Sequence, residues 1–414
     1  LKKLLHMLRW IIFILIYCIF SVYGYQAIKT VTKASWFHYL FIIVALVIAG
    51  NFIYQFSLGS EGRVLNPAKS YAFGCLLAFM SLNLVIVPIL LGEDVIRAFV
   101  GVYDKFISKE AFNMSSRRKF ISQIALGLAA IPFTSLLYGM YKGKYKFRVL
   151  EYVLYFEDLP EAFDGYRITQ ISDIHSGSFD NFEKIKYGVD LVNEQKSDVI
   201  LFTGDLVNNK ASEMIPWKDL FGTLKAKDGV FSVLGNHDYG DYVDWDSPAA
   251  KEKNLDDLKQ IQKEMGYDLL LNESRFIERE GQRIALVGVE NWGKGGFKKS
   301  GDLRKASEHI DLNDFKILMS HDPSHWEEQV INDDYHYHLT LSGHTHGMQF
   351  GIEIPGWIKW SPVKWRYKHW AGIYKELGQY INVNRGFGFL AYPGRVGIWP
   401  EVSVITLKKG TNDA

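Results

Sequence analysis

Apolar residues follow two different patterns along the chain. Up to about residue 140 they form long, nearly uncharged runs; beyond it they come in short runs separated by charges, glycines and turn residues. Trp10 to Tyr23 and Trp36 to Phe56 reach spanning length once flanking residues are included, since about 20 apolar residues cross a bilayer. Ser70 to Leu91 is a third run, and its Asn83 and Pro88 are tolerable in a helix packed against others. Phe120 to Tyr141 is a fourth, diluted by Gly127, Pro132, Thr134 and Ser135. A buried soluble helical domain is the alternative; several long uncharged runs in succession argue against it. Between the third and fourth runs, Glu93 to Phe112 spaces Ile96, Phe99, Val100, Tyr103, Phe106 and Ile107 at helical intervals among charges. That spacing predicts a helix lying in the membrane interface or capping the bundle.

From Lys146 onward the pattern is that of a layered α/β domain with sheets inside. Strands are predicted at Arg167 to Ser172, Asp198 to Thr203, Gly229 to Leu234, Arg283 to Val289, Phe315 to Ser320 and Tyr337 to Leu341, with two more at Tyr380 to Val383 and Val402 to Leu407. Helical spacing marks Phe182 to Gln195 and Leu255 to Met265. The division is therefore a membrane region at 1–143 and a second domain at 144–414.

The ends of the strands carry the chemistry. Asp173-Ile174-His175, Gly204-Asp205, Gly235-Asn236-His237-Asp238, His321-Asp322 and Gly343-His344-Thr345-His346 each come directly after a predicted strand. Any one of these has a bland explanation as a turn or a cap. Five strand ends carrying oxygen and imidazole donors, where a parallel sheet tends to place its ligands, point to a metal site.

Composition narrows this further. The chain has 414 residues, 48% of them hydrophobic, and a formal net charge of +1, which gives no nucleic-acid signature. Its two cysteines, Cys18 and Cys75, both lie in the apolar half. The second half can therefore form neither a disulfide framework nor a thiolate metal site.

With these motifs in this order, the chain resembles the calcineurin-like metallophosphoesterase family over essentially residues 146 to 409. The apolar first half, Asn384-Arg385-Gly386-Phe387-Gly388 and Trp399-Pro400-Glu401 are similar to its transmembrane branch. The resemblance implies a four-layer α/β/β/α sandwich with a dinuclear metal centre at one edge. It assigns Asp173, His175 and His346 to one ion, Asn236, His321 and His344 to the other, and Asp205 to both. Such a donor set suits manganese, iron or zinc, manganese being favoured. Two ions about 3.5 to 4 Å apart activate a shared water and clamp phosphoryl oxygens. The implied reaction is attack on phosphorus by metal-bound hydroxide, with His237 protonating the leaving group. Asp238 is a candidate to hold the His237 imidazole, a turn carboxylate being the alternative. Asn236 and Arg385 are the candidate substrate contacts, a structural ion pair being the alternative for Arg385. At Gly347-Met348-Gln349 many members of the family have a second glycine, a departure that reshapes the cleft but leaves the ligands intact.

The expected activity is a membrane-anchored phosphodiesterase or pyrophosphatase on a lipid-linked or nucleotide-sugar substrate such as UDP-2,3-diacylglucosamine. A broad phosphomonoesterase and a non-catalytic membrane sensor are the alternatives; the intact ligand set and His237 speak against the sensor. Pro355 to Tyr374 interleaves Trp357, Trp360, Trp365 and Trp370 with Lys359, Lys364, Arg366, Lys368 and His369. This suits either an interfacial segment or a loop packed on its own domain. No nucleic-acid or protein partner is implied. The expected location is a bacterial inner membrane. Ser116-Arg117-Arg118-Lys119-Phe120-Ile121 resembles a twin-arginine signal, though internal, and as a basic helix start it places the following domain outside. Lys2, Lys3 and Arg9, with an even number of spans, pull the other way; the extracytoplasmic side is the reading adopted.

Overall fold

The computed structural model describes residues 2–59, 65–108, 115–354 and 356–411. It divides into two compact units, the described residues up to 59 with 68–141 forming the first and 65–67 with 142–411 the second.

The first unit is helical: α1 (Lys2–Val31), α2 (Ser35–Ser57), α3 (Pro67–Tyr103) and α4 (Ser115–Tyr141). All four are long and apolar enough to cross a membrane. Their mutual contacts bury Tyr17, Ala45, Leu76 and Phe79 in one cluster, and Ala27, Ile86, Leu90, Ala125 and Ala129 in another. Ile19, Leu46, Val47 and Phe120 stay exposed, as in helices whose outer faces meet lipid. Asn83 is fully buried and binds the Phe79 carbonyl, in line with a helix packed on neighbours.

One expectation fails here. Glu93 to Tyr103 is not a separate interfacial helix but the continuation of α3, extended by a π-helical turn at Asp104–Ser108. Residues 109–112 of that expected helix lie outside the described residues. The reason is a distant partner: Arg118 of α4 donates to Glu93 at 2.5 Å and to Asp94 at 2.6 Å. Both acids are thereby paired with one guanidinium, Glu93 buried and Asp94 partly exposed.

The second unit holds two six-stranded sheets. The first runs in the order β1 (Arg148–Phe156), β14 (Glu401–Lys409), β2 (Arg167–Ile171), β3 (Val199–Phe202), β4 (Val230–Ser232), β5 (Tyr267–Leu269). The second runs β12 (Gly372–Glu376), β13 (Gln379–Val383), β9 (Leu339–Ser342), β8 (Phe315–Met319), β7 (Gln282–Gly288), β6 (Glu273–Arg279). A separate antiparallel ribbon joins β10 (Ile352–Ile354) to β11 (Ile358–Trp360).

Alternation along the strands builds the layers. Val199 and Leu201 of β3 face Ile317, Met319, Leu339 and Leu341 of the second sheet, in a core shared by both sheets. Ile200 and Phe202 turn the other way, toward Ile185, Val189 and Val192 of α5 (Phe182–Glu194) and toward Leu258 and Ile261 of the helix Pro248–Glu264. Leu318, Ile381 and Val383 cover the outer face of the second sheet with Leu303, Ala306 and Trp326. The result is the expected α/β/β/α order. Asn181 caps the first of these helices, and the second begins seven residues before the expected Leu255, where Ser247 caps it ahead of Pro248.

Candidate metal centre

The strands β2, β3 and β4 are parallel neighbours in one sheet, and β8 and β9 are parallel neighbours in the other. Their carboxyl ends meet at one edge of the sandwich and are tied across it. His321 donates from Nδ1 to the Thr203 carbonyl at 2.7 Å, Gln170 reaches the Ser342 carbonyl at 2.8 Å, and the His344 backbone N–H binds the Asp173 carboxylate.

Two groups of donors converge there. Asp173, His175 and His346 form one; Asp205, His321 and His344 form the other, each with ligand atoms within 4.8 Å of one another. His346 Nε2 lies 3.2 Å from Asp173 Oδ1 and 3.0 Å from His175 Nε2. Asn236 Oδ1 joins the second group, 2.7 Å from His344 Nδ1. Asp205 Oδ2 sits between the groups, 3.6 Å from His175 Nε2 and 3.2 Å from His321 Nε2.

The hydrogen bonds fix which nitrogen faces inward. Nδ1–H of His321 is spent on Thr203, leaving Nε2 for a ligand. His344 is reversed: Nδ1 faces Asn236 and His321, while Nε2 points to the Tyr367 hydroxyl at 2.9 Å and to Asp322 at 3.4 Å. A carboxylate behind an imidazole is what orients a metal ligand.

Electrostatics and backbone both mark the cluster as built for cations. Burial works against ionisation of Asp205, but the charges of His321 and His237 outweigh it and hold the carboxyl well below its usual range. Burial would likewise lower His321, yet the Asp205 carboxylate raises it to about 10. Five of the seven candidate ligands, Asp173, His175, Asp205, His344 and His346, adopt φ between 49° and 68°. That region is sparsely used by residues other than glycine and is held where function requires it. Gly343 permits the closest approach: a Cβ there would lie 1.9 Å from Ser172 Oγ and 2.3 Å from Asp173 Oδ2. Buried carboxylate, amide and imidazole donors, with no thiolate, fit divalent ions of the borderline class.

His237 is partly exposed beside this cluster and donates from Nδ1 to the Asn208 carbonyl at 2.8 Å. Two expectations give way here. Asp238 does not touch the His237 ring; its carboxylate accepts the backbone N–H groups of Gly235, Asp205, Leu206 and Val207, so it shapes two ligand loops. Burial, with the Asp205 charge, pushes it up to about 7. Arg385 does not face the donors as a free cation. Its guanidinium is bidentate on Glu353 and also binds Glu401 at 2.5 Å, a buried ion triad. The neighbours that sequence reasoning missed are Asn208, Tyr367 and Tyr242, whose hydroxyl takes the Asn236 amide at 2.8 Å. Asp322, named with His321 among the strand ends but given no role, stands behind His344.

Residues 8–144 match a family model described as a probable calcineurin-like phosphoesterase, transmembrane domain, and residues 166–348 match the calcineurin-like phosphoesterase model. An uncharacterized metallophosphoesterase of Bacillus subtilis, YkuE, is 30% identical over 302 residues, spanning 71% of this chain and 98% of that protein. An uncharacterized metallophosphoesterase of Helicobacter pylori is 24% identical over 407 residues, 97% of this chain and 98% of its own. The phosphodiesterase YaeI of Escherichia coli is 27% identical over 295 residues, 71% of this chain and 100% of its own.

Proposed function

Because the chain belongs to the calcineurin-like metallophosphoesterases, joined to their four-helix transmembrane domain, we propose that it is a membrane-anchored hydrolase of a phosphodiester or pyrophosphate bond that uses two divalent ions. The observation that carries this reading is the position of Asp205 Oδ2 between His175 and His321, one carboxylate within reach of both donor groups. Asp173, His175 and His346 would hold one ion, Asn236, His321 and His344 the other, and Asp205 both. Bound there, such ions supply Lewis acidity and lower the pKa of a shared water. The protein does the rest. His237, with Nδ1 fixed on the Asn208 carbonyl, presents Nε2 for proton delivery to the leaving oxygen. Asp238 keeps the Asp205 and Asn236 loops in register through the N–H groups it accepts.

Manganese is the favoured metal, and a lipid-linked or nucleotide-sugar phosphoester such as UDP-2,3-diacylglucosamine the favoured substrate; the membrane anchor supports the latter. We assign the helical region at 1–143 as that anchor and 144–414 as the catalytic domain. The bacterial inner membrane, with the catalytic domain outside, is the location we favour from the basic start of α4; protease accessibility in spheroplasts tests the side. For the reaction, full-length detergent-purified protein with manganese should hydrolyse bis(p-nitrophenyl) phosphate. Asp205→Asn and His237→Ala should each lower the rate by about 100-fold or more. Full activity in either variant overturns the assignment.

A further inference from the structure

More than half of the large apolar side chains exposed in the described part of 142–411 fall within positions 348–365. The ribbon of β10 and β11 explains how. Its register pairs Ile352 with Trp360, Glu353 with Lys359 and Ile354 with Ile358, so Ile352, Ile354 and Ile358 share one face and Glu353 and Lys359 the other. The polar face is the one tied to the domain: partly buried Glu353 meets Arg385, and Lys359, exposed along its stem, brings its ammonium to the Ala371 carbonyl. The isoleucines are exposed, Trp357 beside the turn is 81% exposed, and Trp365, edge-on to Trp360, is 75% exposed. This is the reverse of a ribbon packed on a soluble protein. The backbone holds it so. Met348 and Gln349, two non-glycine residues with φ of 54° and 56°, lead into β10 and leave Met348 exposed.

We propose that this ribbon, with Trp357 and Trp365, rests in the headgroup region of the bilayer that anchors the chain, and brings lipid-borne phosphoesters to the metal centre. Two arguments favour lipid as the occupant. Tryptophan rings flanked by cations are suited to anionic headgroups, and Lys364 and Arg366 are exposed beside Trp365, while Glu353 is neutralised by Arg385. A second copy docked on the same face about a two-fold axis would bring these like charges together. The ribbon is also continuous with the site: Met348 is two residues from His346, Ser361 binds the Gly347 carbonyl, and Tyr367 binds His344. The substrate half of the proposal rests on the phosphoesterase reading above; the docking half does not.

The test uses full-length protein lacking its two cysteines (C18S/C75S), with a nitroxide at Trp357→Cys or, as a control, at the exposed Leu312→Cys, in vesicles of phosphatidylethanolamine and phosphatidylglycerol. The label at 357 should collide preferentially with oxygen and be shielded from a water-soluble nickel chelate; the label at 312 should do the opposite. Nickel accessibility at 357 equal to that at 312 overturns the docking, and so does dipolar broadening between 357 labels, which assigns the face to a second copy. Separately, the triple variant W357S/I358S/W365S should lose at least tenfold in turnover of a vesicle-embedded lipid phosphodiester, while hydrolysis of soluble bis(p-nitrophenyl) phosphate stays within twofold. A shielded label with equal losses on both substrates overturns the substrate half. Failure of wild type on the soluble diester overturns the reaction itself, with the label still reporting the docking.

Discussion

Replacing Arg385 by methionine separates a structural cation from a substrate ligand. The guanidinium is 5% exposed, between Glu401 at 1% and Glu353 at 25%. Glu401 further accepts the Arg385 backbone N–H and the Ser403 hydroxyl, so its carboxylate cannot leave the interior without unpairing both. Removing one partner of a buried pair strands the other charge, at a cost of roughly 3–5 kcal/mol. For a unit of this size each kcal/mol lowers the melting temperature by about 2–4 °C, so a fall of roughly 10 °C is expected. Differential scanning fluorimetry on detergent-purified full-length protein reads it directly. Adding Glu401→Gln and Glu353→Gln should restore more than half of the loss, because no uncompensated carboxylate then remains. KM for a soluble diester, measured well below the melt, should stay within about threefold. An unchanged melting temperature with a strongly raised KM would refute this reasoning and return Arg385 to the phosphate.

The same geometry sets three further outcomes. His344→Ala and His346→Ala should each reduce bound metal from two ions to one per chain by elemental analysis, and equal loss from both sites in both variants contradicts the division between them. Gly343→Ala should displace Asp173, because its Cβ would lie 2.3 Å from Oδ2; a drop of at least about tenfold in activity with metal lost is expected, and normal metal content argues against so close an approach. His325 accepts from Ser320 at Nδ1 and donates to Gln329 at Nε2, and burial pushes it down to about 4. The unfolded chain, near 6.5, then binds more protons between these values, so stability present above about pH 6.5 is lost as pH falls toward 4. His325→Gln should remove about 3 kcal/mol of that acid dependence in urea melts from pH 4 to 7; identical slopes in both proteins would count against it.

The eight expected strands all coincide with observed ones within a few residues, and the reason is physical. Their residues are largely buried because the strands lie between a helix layer and the other sheet, and five of them end in the turns where the donors stand. What stayed hidden depended on partners far along the chain. Edge strands such as β6, Glu-Ser-Arg-Phe-Ile-Glu-Arg, carry charges that obscure alternation. The acids at 93 and 94 reveal their role only through Arg118. Asp238 looked like a partner for the adjacent histidine, but four backbone N–H groups brought together by folding claim it instead. The tryptophan segment divides between the two readings it allowed: Trp370 is buried in the domain, while Trp357 and Trp365 are exposed. Pro355 lies outside the described residues.

The left-handed conformation at five of the candidate metal ligands has an evolutionary consequence. A non-glycine residue in that region costs of order 1 kcal/mol or more, so selection for stability alone would replace those positions by glycine or asparagine. Selection for ion binding at these positions would oppose that drift. In a lineage that kept the membrane helices and abandoned hydrolysis, Asp173, His175, Asp205, His344 and His346 are the residues that would erode first. They would leave behind a more heat-stable fold with an ordinary backbone where the catalyst had been.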